Sequence, residues 1–93
     1  DDGMVVLIVT IDRRSGRVLK NPDIISRGFI YLRENQELLK EMRSRVRGIV
    51  GRLPKTKNVD ADYLKSLFRD QIGQFIYHKT QRRPMILPVV IEI

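Results

Sequence analysis

The sequence predicts an α+β fold: a two-layer sandwich in which a small three-stranded mixed sheet carries two helices on one face, in the order ββααβ. Three observations predict it. Residues 4–11 and 85–93 are β-branched and aliphatic runs of strand length. The segments after Asn35 and after Asp60 repeat apolar residues at spacings of three and four. The chain has 93 residues. A chain of that size buries only about 60–65% of its unfolded surface, enough for one thin core and no second domain.

Each element has a local reason. Residues 4–11, Met-Val-Val-Leu-Ile-Val-Thr-Ile, form the first strand. Asp12-Arg-Arg-Ser-Gly-Arg17 is a turn, with Gly16 free to take positive φ. Val18 and Leu19 pair back onto the first strand, and Asn21-Pro22-Asp23 breaks that pairing. A second strand is expected over 24–32, strongest from Gly28 onward, with Gly28 marking a bulge or a close backbone approach. Asn35 caps the first helix, whose stripe is Leu38, Leu39, Met42, Val46, Ile49, Val50 and Leu53. Pro54 ends it. Asp60 caps the second helix, with Val59 and Leu64 as a hydrophobic staple. That stripe is Leu64, Leu67, Phe68, Ile72, Phe75 and Ile76, interrupted by Gly73, which suggests close approach to the sheet or the other helix. Residues 85–93 form the third strand, and Pro88 implies an amide position facing an edge.

Composition excludes several function classes. Cysteine is absent and histidine occurs once, as His78. Disulfide scaffolds and thiolate zinc sites are therefore excluded, and the inventory does not assemble a multi-histidine cage or a Ser/His/Asp triad with a spare base. His78 falls near the end of the second helix, where a cation suits the dipole, and a structural role is the expectation. Asp12, Asp23, Asp60, Asp62, Asp70 and Glu92 are scattered over turns and caps rather than paired for acid/base work. No Gly-rich phosphate loop is present. The expectation is a chain with no catalytic site, no cofactor and no metal of its own. No apolar run approaches the ~20 residues of a membrane helix.

Eighteen Lys and Arg oppose 11 Asp and Glu, a net charge of +7 that favours polyanions. The basic residues cluster in three places: Arg13, Arg14 and Arg17 in the first turn; Lys40, Arg43 and Arg47 along the first helix; Arg82 and Arg83 before the last strand. Each cluster is a candidate RNA contact through phosphates, set against the ordinary reading of a solvated surface. The ββααβ order and Gly48-Ile-Val-Gly51 resemble a KH domain, whose GXXG loop clamps nucleotides. Ile49 and Val50 also continue the apolar stripe, which favours core over loop. An autonomous RNA-binding module of KH-like topology is the alternative reading.

The first and third strands carry the strongest functional signal. Helices covering one sheet face leave the other polar, so strands alternate. The first strand does not: Val5, Leu7, Val9 and Ile11 point one way, and Met4, Val6 and Ile8 the other. The third sets Met85, Leu87, Val89, Ile91 and Ile93 against Ile86 and Val90. Two helices cannot cover both faces, and an uncovered apolar face of this kind marks an interface. Val5, Leu7, Val9, Leu87, Val89 and Ile91 are the interface candidates, for an identical chain or a neighbouring domain.

Two long blocks carry a family resemblance. Residues 21–32, Asn-Pro-Asp-Ile-Ile-Ser-Arg-Gly-Phe-Ile-Tyr-Leu, and 82–93, Arg-Arg-Pro-Met-Ile-Leu-Pro-Val-Val-Ile-Glu-Ile, closely resemble the C-terminal domain of bacterial ribonuclease J. The opening residues 2–12 resemble the start of that domain after its linker, so the likeness spans the chain. Asn21 departs from the small residue expected in that turn. The matching positions Pro22, Asp23, Ile25, Ser26, Arg27, Gly28, Phe29, Arg82, Arg83 and Pro84 are mostly structural candidates, with Arg27 and Arg82 expected in ion pairs.

The resemblance implies a single C-terminal accessory domain, residues 1–93, cut from a longer enzyme. That family processes and degrades RNA in the bacterial cytoplasm, as an endonuclease and a 5′-to-3′ exonuclease. Zinc ions in a metallo-β-lactamase domain with an inserted β-CASP domain carry its chemistry. The family's His-x-His-x-Asp-His run is missing here, so no catalytic residue carries over and zinc is implied only for the absent domain. The implied role is subunit association and full activity: a homo-oligomer or contact with the parent's other domains, with RNA contact and no membrane.

Overall fold

The computed structural model describes residues 2–54 and 60–93. The elements are β1 (Met4–Ile11), β2 (Asp23–Arg27), α1 (Gln36–Gly51), α2 (Ala61–Thr80) and β3 (Met85–Glu92). The sheet runs β2-β1-β3, with β1 antiparallel to β2 and parallel to β3. The expected ββααβ sandwich is the observed one. The most evenly apolar strand is central, where neighbours on both sides shield it.

After β1 the chain turns as expected. The Asp12 carboxylate accepts the Ser15 N–H at 3.0 Å, and the Asp12 carbonyl accepts the Gly16 N–H at 2.8 Å. Val18 then bridges back to Ile11, and the Leu19 N–H donates to the Thr10 carbonyl at 3.0 Å.

β2 corrects the sequence expectation. It is the stretch before Gly28, not the one after it, that forms the strand. Gly28 takes φ +71°, a left-handed bend that ends the ladder. Opposite it, Gly3 takes φ +86° and lies so close that a Cβ there would stand 2.5 Å from the Gly28 carbonyl carbon. Beyond the bend, residues 29–35 wind through short-range bonds such as Asn35 N–H to the Leu32 carbonyl at 3.2 Å. That winding drives Phe29 and Leu32 into the core instead of along a strand.

Both helices start and stop where local chemistry dictates. Asn35 Oδ1 accepts the Leu38 N–H at 3.0 Å, and Asp60 Oδ1 accepts the N–H groups of Asp62 and Tyr63 at 3.0 and 3.3 Å. Val59, the other half of the expected staple, lies outside the described residues. Each helix buries its stripe: Leu38, Met42, Val46, Ile49 and Val50 from α1; Leu64, Phe68, Ile72, Phe75 and Ile76 from α2. Gln81, at φ 60°, closes α2 by donating its N–H to the Tyr77 carbonyl at 2.7 Å. A Cβ on Gly73 would meet Ile86 Cγ1 at 4.0 Å, so this glycine faces β3 with room for a methyl group.

The register settles which strand residues share a face. Val6 pairs with Leu87, Ile8 with Val89 and Thr10 with Ile91; on the other side Val6 pairs with Ile25. Val5, Leu7, Val9 and Ile11 lie on the helix side and are essentially fully buried. The open face is Met4, Val6 and Ile8 with Met85, Leu87, Val89 and Ile91, and Ile25 from β2. Pro88 occupies a permissive position in the edge strand. The Met85 N–H donates to the Gly3 carbonyl and the Ile93 N–H to the Ile11 carbonyl, so odd-numbered amides of β3 point at β1. Backbone groups alternate along a strand, so position 88 faces the outer edge and no ladder bond is lost.

Candidate functional site

Two surfaces collect the candidate residues. The first is the open sheet face. Leu87, Val89 and Ile91 stand 45%, 37% and 43% exposed there, and Ile25 49%. Val5, Leu7 and Val9 do not belong to it: each is 0% exposed beneath the helices. The expectation that grouped them with Leu87, Val89 and Ile91 fails on register, because β1 meets β3 as Val6 to Leu87 and not as Val5 or Leu7 to Leu87. The strand residues that join the exposed β3 row are Met4, Val6 and Ile8. The β2 row of the same face runs from Asp23, beside Ile8, through Ile25 to Arg27, beside Met4. Its two ends thus carry opposite charges around an apolar middle.

The basic residues do not share one surface. Arg13, Arg14 and Arg17 are exposed in the turn after β1, and the Arg13 N–H donates to the Ile93 carbonyl at 2.8 Å. They therefore sit at the far end of β1 and β3. In that turn the hydrogen bonds from Ser15 hold the Asp12 carboxyl below its ordinary range. Lys40 and Arg47 are exposed along α1, whereas Arg43 is half-buried and donates its Nε to the Pro22 carbonyl at 3.0 Å. Arg43 is thus a tie between α1 and the start of β2.

Arg82 and Arg83 lie at the opposite pole, beside Gly3 and the beginnings of β1 and β3. Eight residues of β1 separate the two poles by about 25 Å. Here the structure adds partners that sequence reasoning missed. The Arg82 guanidinium lies 5.5 Å from the Tyr31 ring centroid and donates its Nε to the Tyr31 hydroxyl at 3.1 Å. Arg83 lies 4.1 Å over the Tyr77 ring, and its backbone N–H donates to the Asp2 carboxylate at 2.8 Å. Tyr31 is 51 residues from Arg82, so no local spacing announces the pair.

The family-block residues are framework. Pro22 is fully buried and Phe29 nearly so; Pro84 is buried immediately before β3, and Ser26 is half-buried within β2. Asp23 pairs with Lys20 at 3.5 Å. Among the described residues neither Arg27 nor Arg82 forms the expected ion pair with a carboxylate. Gly48-Ile-Val-Gly51 is the last turn of α1, with Ile49 and Val50 in the core, so it is not a nucleotide-clamping loop. Among the described residues no three His, Cys, Asp or Glu side chains gather as a metal-ligand group. Among them, too, no helix is long and apolar enough to cross a membrane.

Comparison with known proteins places this architecture. The family described as "Ribonuclease J C-terminal domain" matches residues 1–93. Ribonuclease J2 of Bacillus subtilis is 39% identical over 92 residues, covering 99% of this chain. Ribonuclease J 2 of Staphylococcus epidermidis is 43% identical, and that of Staphylococcus aureus 41% identical, each over the whole of this chain. The chain spans 17% of the length of each of these relatives. A family match over residues 1–93, with relatives 39–43% identical across nearly the whole chain, makes this chain a member of the ribonuclease J family, corresponding to its C-terminal domain.

Proposed function

We propose that this chain is the non-catalytic accessory domain of a ribonuclease J, that it holds subunits together, and that it thereby supports full nuclease activity in RNA processing and degradation. The observation that carries this reading is the open sheet face. Its centre is aliphatic, no helix among the described residues lies over it, and its exposed row on β3 runs the length of the strand. The occupant is a second copy of the same face. An aliphatic centre needs no chemically distinct complement, and two sheets stack about 10 Å apart with interleaved side chains. The opposite charges at the ends of the β2 row fit the same arrangement. A two-fold that runs the strands antiparallel sets Arg27 of one copy toward Asp23 of the other.

Catalysis belongs to the rest of a longer polypeptide, for which a zinc-dependent endonuclease and 5′-to-3′ exonuclease is the proposed activity and the bacterial cytoplasm the proposed compartment. The residues of this chain do not fit a zinc site: His78 is exposed at the end of α2, with no ligand group around it among the described residues. The domain also contributes a basic surface to RNA.

Light scattering on the eluting chain tests the assembly. Leu87→Lys and Val89→Lys, placed on the open face, are expected to convert a concentration-dependent dimer to monomer while leaving the circular dichroism spectrum intact. A wild-type chain that stays monomeric at high concentration, or dimers indifferent to both substitutions, would contradict it. In the monomeric case the face is left for the parent's other domains.

A further inference from the structure

We propose that the pole formed by Arg82, Arg83, Tyr31 and Tyr77 is where this domain contacts single-stranded RNA, the two guanidiniums meeting phosphates and the tyrosine rings meeting bases. The inference rests on the reading that the domain contacts RNA, and it assigns that contact to one of the three basic clusters. Cation–π contacts occur about once per 70–80 residues in ordinary proteins. Four occur among the described residues: Arg45 and Lys79 share the buried Phe75 ring, whereas the adjacent Arg82 and Arg83 each lie against a separate tyrosine at one end of the sheet. A guanidinium seated on a ring has already given up much of its rotamer freedom, so binding a phosphate costs less further ordering.

Their donors are also open. Arg82 uses Nε on the Tyr31 hydroxyl, and its two Nη nitrogens have no hydrogen-bond partner among the described residues. The Asp2 carboxylate accepts the Arg83 backbone N–H and its charge also acts on Arg82, but among the described residues neither guanidinium forms an ion pair with a carboxylate. Tyr31 remains 39% exposed, which leaves its ring accessible to a base.

The other clusters lack these features. Arg43 is committed to the Pro22 carbonyl, and no aromatic ring lies against Arg13, Arg14 or Arg17 among the described residues. The open sheet face carries no aromatic side chain and so offers bases nothing to stack on.

Fluorescence anisotropy with a labelled single-stranded oligouridylate tests the assignment. Arg82→Ala/Arg83→Ala is expected to weaken binding by about tenfold. It should also lower the magnitude of the log–log salt slope by about 1.4, two phosphates at about 0.7 each. Arg13→Ala/Arg14→Ala removes the same charge from the other pole and is expected to change binding less than twofold. Equal losses from both pairs would reduce the effect to net charge and overturn the assignment. Undiminished binding by the Arg82/Arg83 variant would overturn it while leaving RNA contact elsewhere. No binding by the wild-type chain at low salt would remove both. Should the alanine pair melt the domain, Arg82→Lys/Arg83→Lys keeps the charge and loses the flat stacked geometry. It is expected to bind several-fold more weakly than wild type, and wild-type affinity would reject the platform.

Discussion

Gly3 and Gly28 meet where β1 begins and β2 stops, and the two glycines are not equivalent. A Cβ at Gly3 would stand 2.5–2.6 Å from three backbone atoms of residues 27 and 28, which have no flexible end to move aside. A Cβ at Gly28 would meet only the Gly3 Cα, at an ordinary 3.6 Å. Both occupy positive φ, which costs a non-glycine residue about 1–2 kcal/mol. Gly28→Ala is expected to lose that amount. Gly3→Ala adds a backbone collision and is expected to lose clearly more, with a fall in melting temperature of roughly 10 °C or beyond. Thermal unfolding followed by circular dichroism gives the order, and a Gly28→Ala variant less stable than Gly3→Ala would refute this account. Gly28 announces itself in the sequence by interrupting an apolar run. Gly3 does not, because its constraint comes from a residue 25 positions away that only folding brings near.

At the scale of elements, α2 contains a removable weakness. Gly73 sits mid-helix, its missing side chain points at Ile86, and the 4.0 Å gap is ordinary contact distance for a methyl. Gly73→Ala is therefore expected to stabilise the domain by up to about 1 kcal/mol, through helix propensity and a smaller unfolded-state entropy. Chemical denaturation reads this as a higher midpoint at unchanged slope; a lower midpoint would mean that the helix–sheet contact has no such room. Both helices were legible from sequence because their determinants are local: Asn35 and Asp60 at the caps, stripes at three and four, and Pro54 beyond the first helix. The strands were legible as strands but not in full. The end of β2 depends on the Gly3 contact. The face shared by β1 and β3 depends on Met4 meeting Met85, a pairing across nearly the whole chain, and shifting it by one residue exchanges the two faces. For that reason Val5, Leu7 and Val9, equal to Met4, Val6 and Ile8 in the sequence, prove to be core. The basic clusters were legible as charge, while the tyrosines that distinguish one from the others were not.

The whole molecule separates its surfaces. Helices shelter one side of the sheet, the aliphatic side lies opposite, and the arginine–tyrosine pole sits where the chain enters β1. The proposed subunit pairing through the sheet would therefore leave that pole free. β3 is a long, β-branched strand with no neighbouring strand on its outer side among the described residues, the kind of border that recruits further strands. Pro88 withholds a donor at mid-strand on that border. Pro88→Thr restores it and is expected to fold with little change in stability yet form thioflavin-positive fibres on incubation, where the natural sequence stays clear; equal clarity would show that other features guard the border. If the sheet faces pair as proposed, a border that refuses sideways company would limit the assembly to particles of fixed, small size, and a single ring-locked residue would keep a greasy domain from growing into a filament without end.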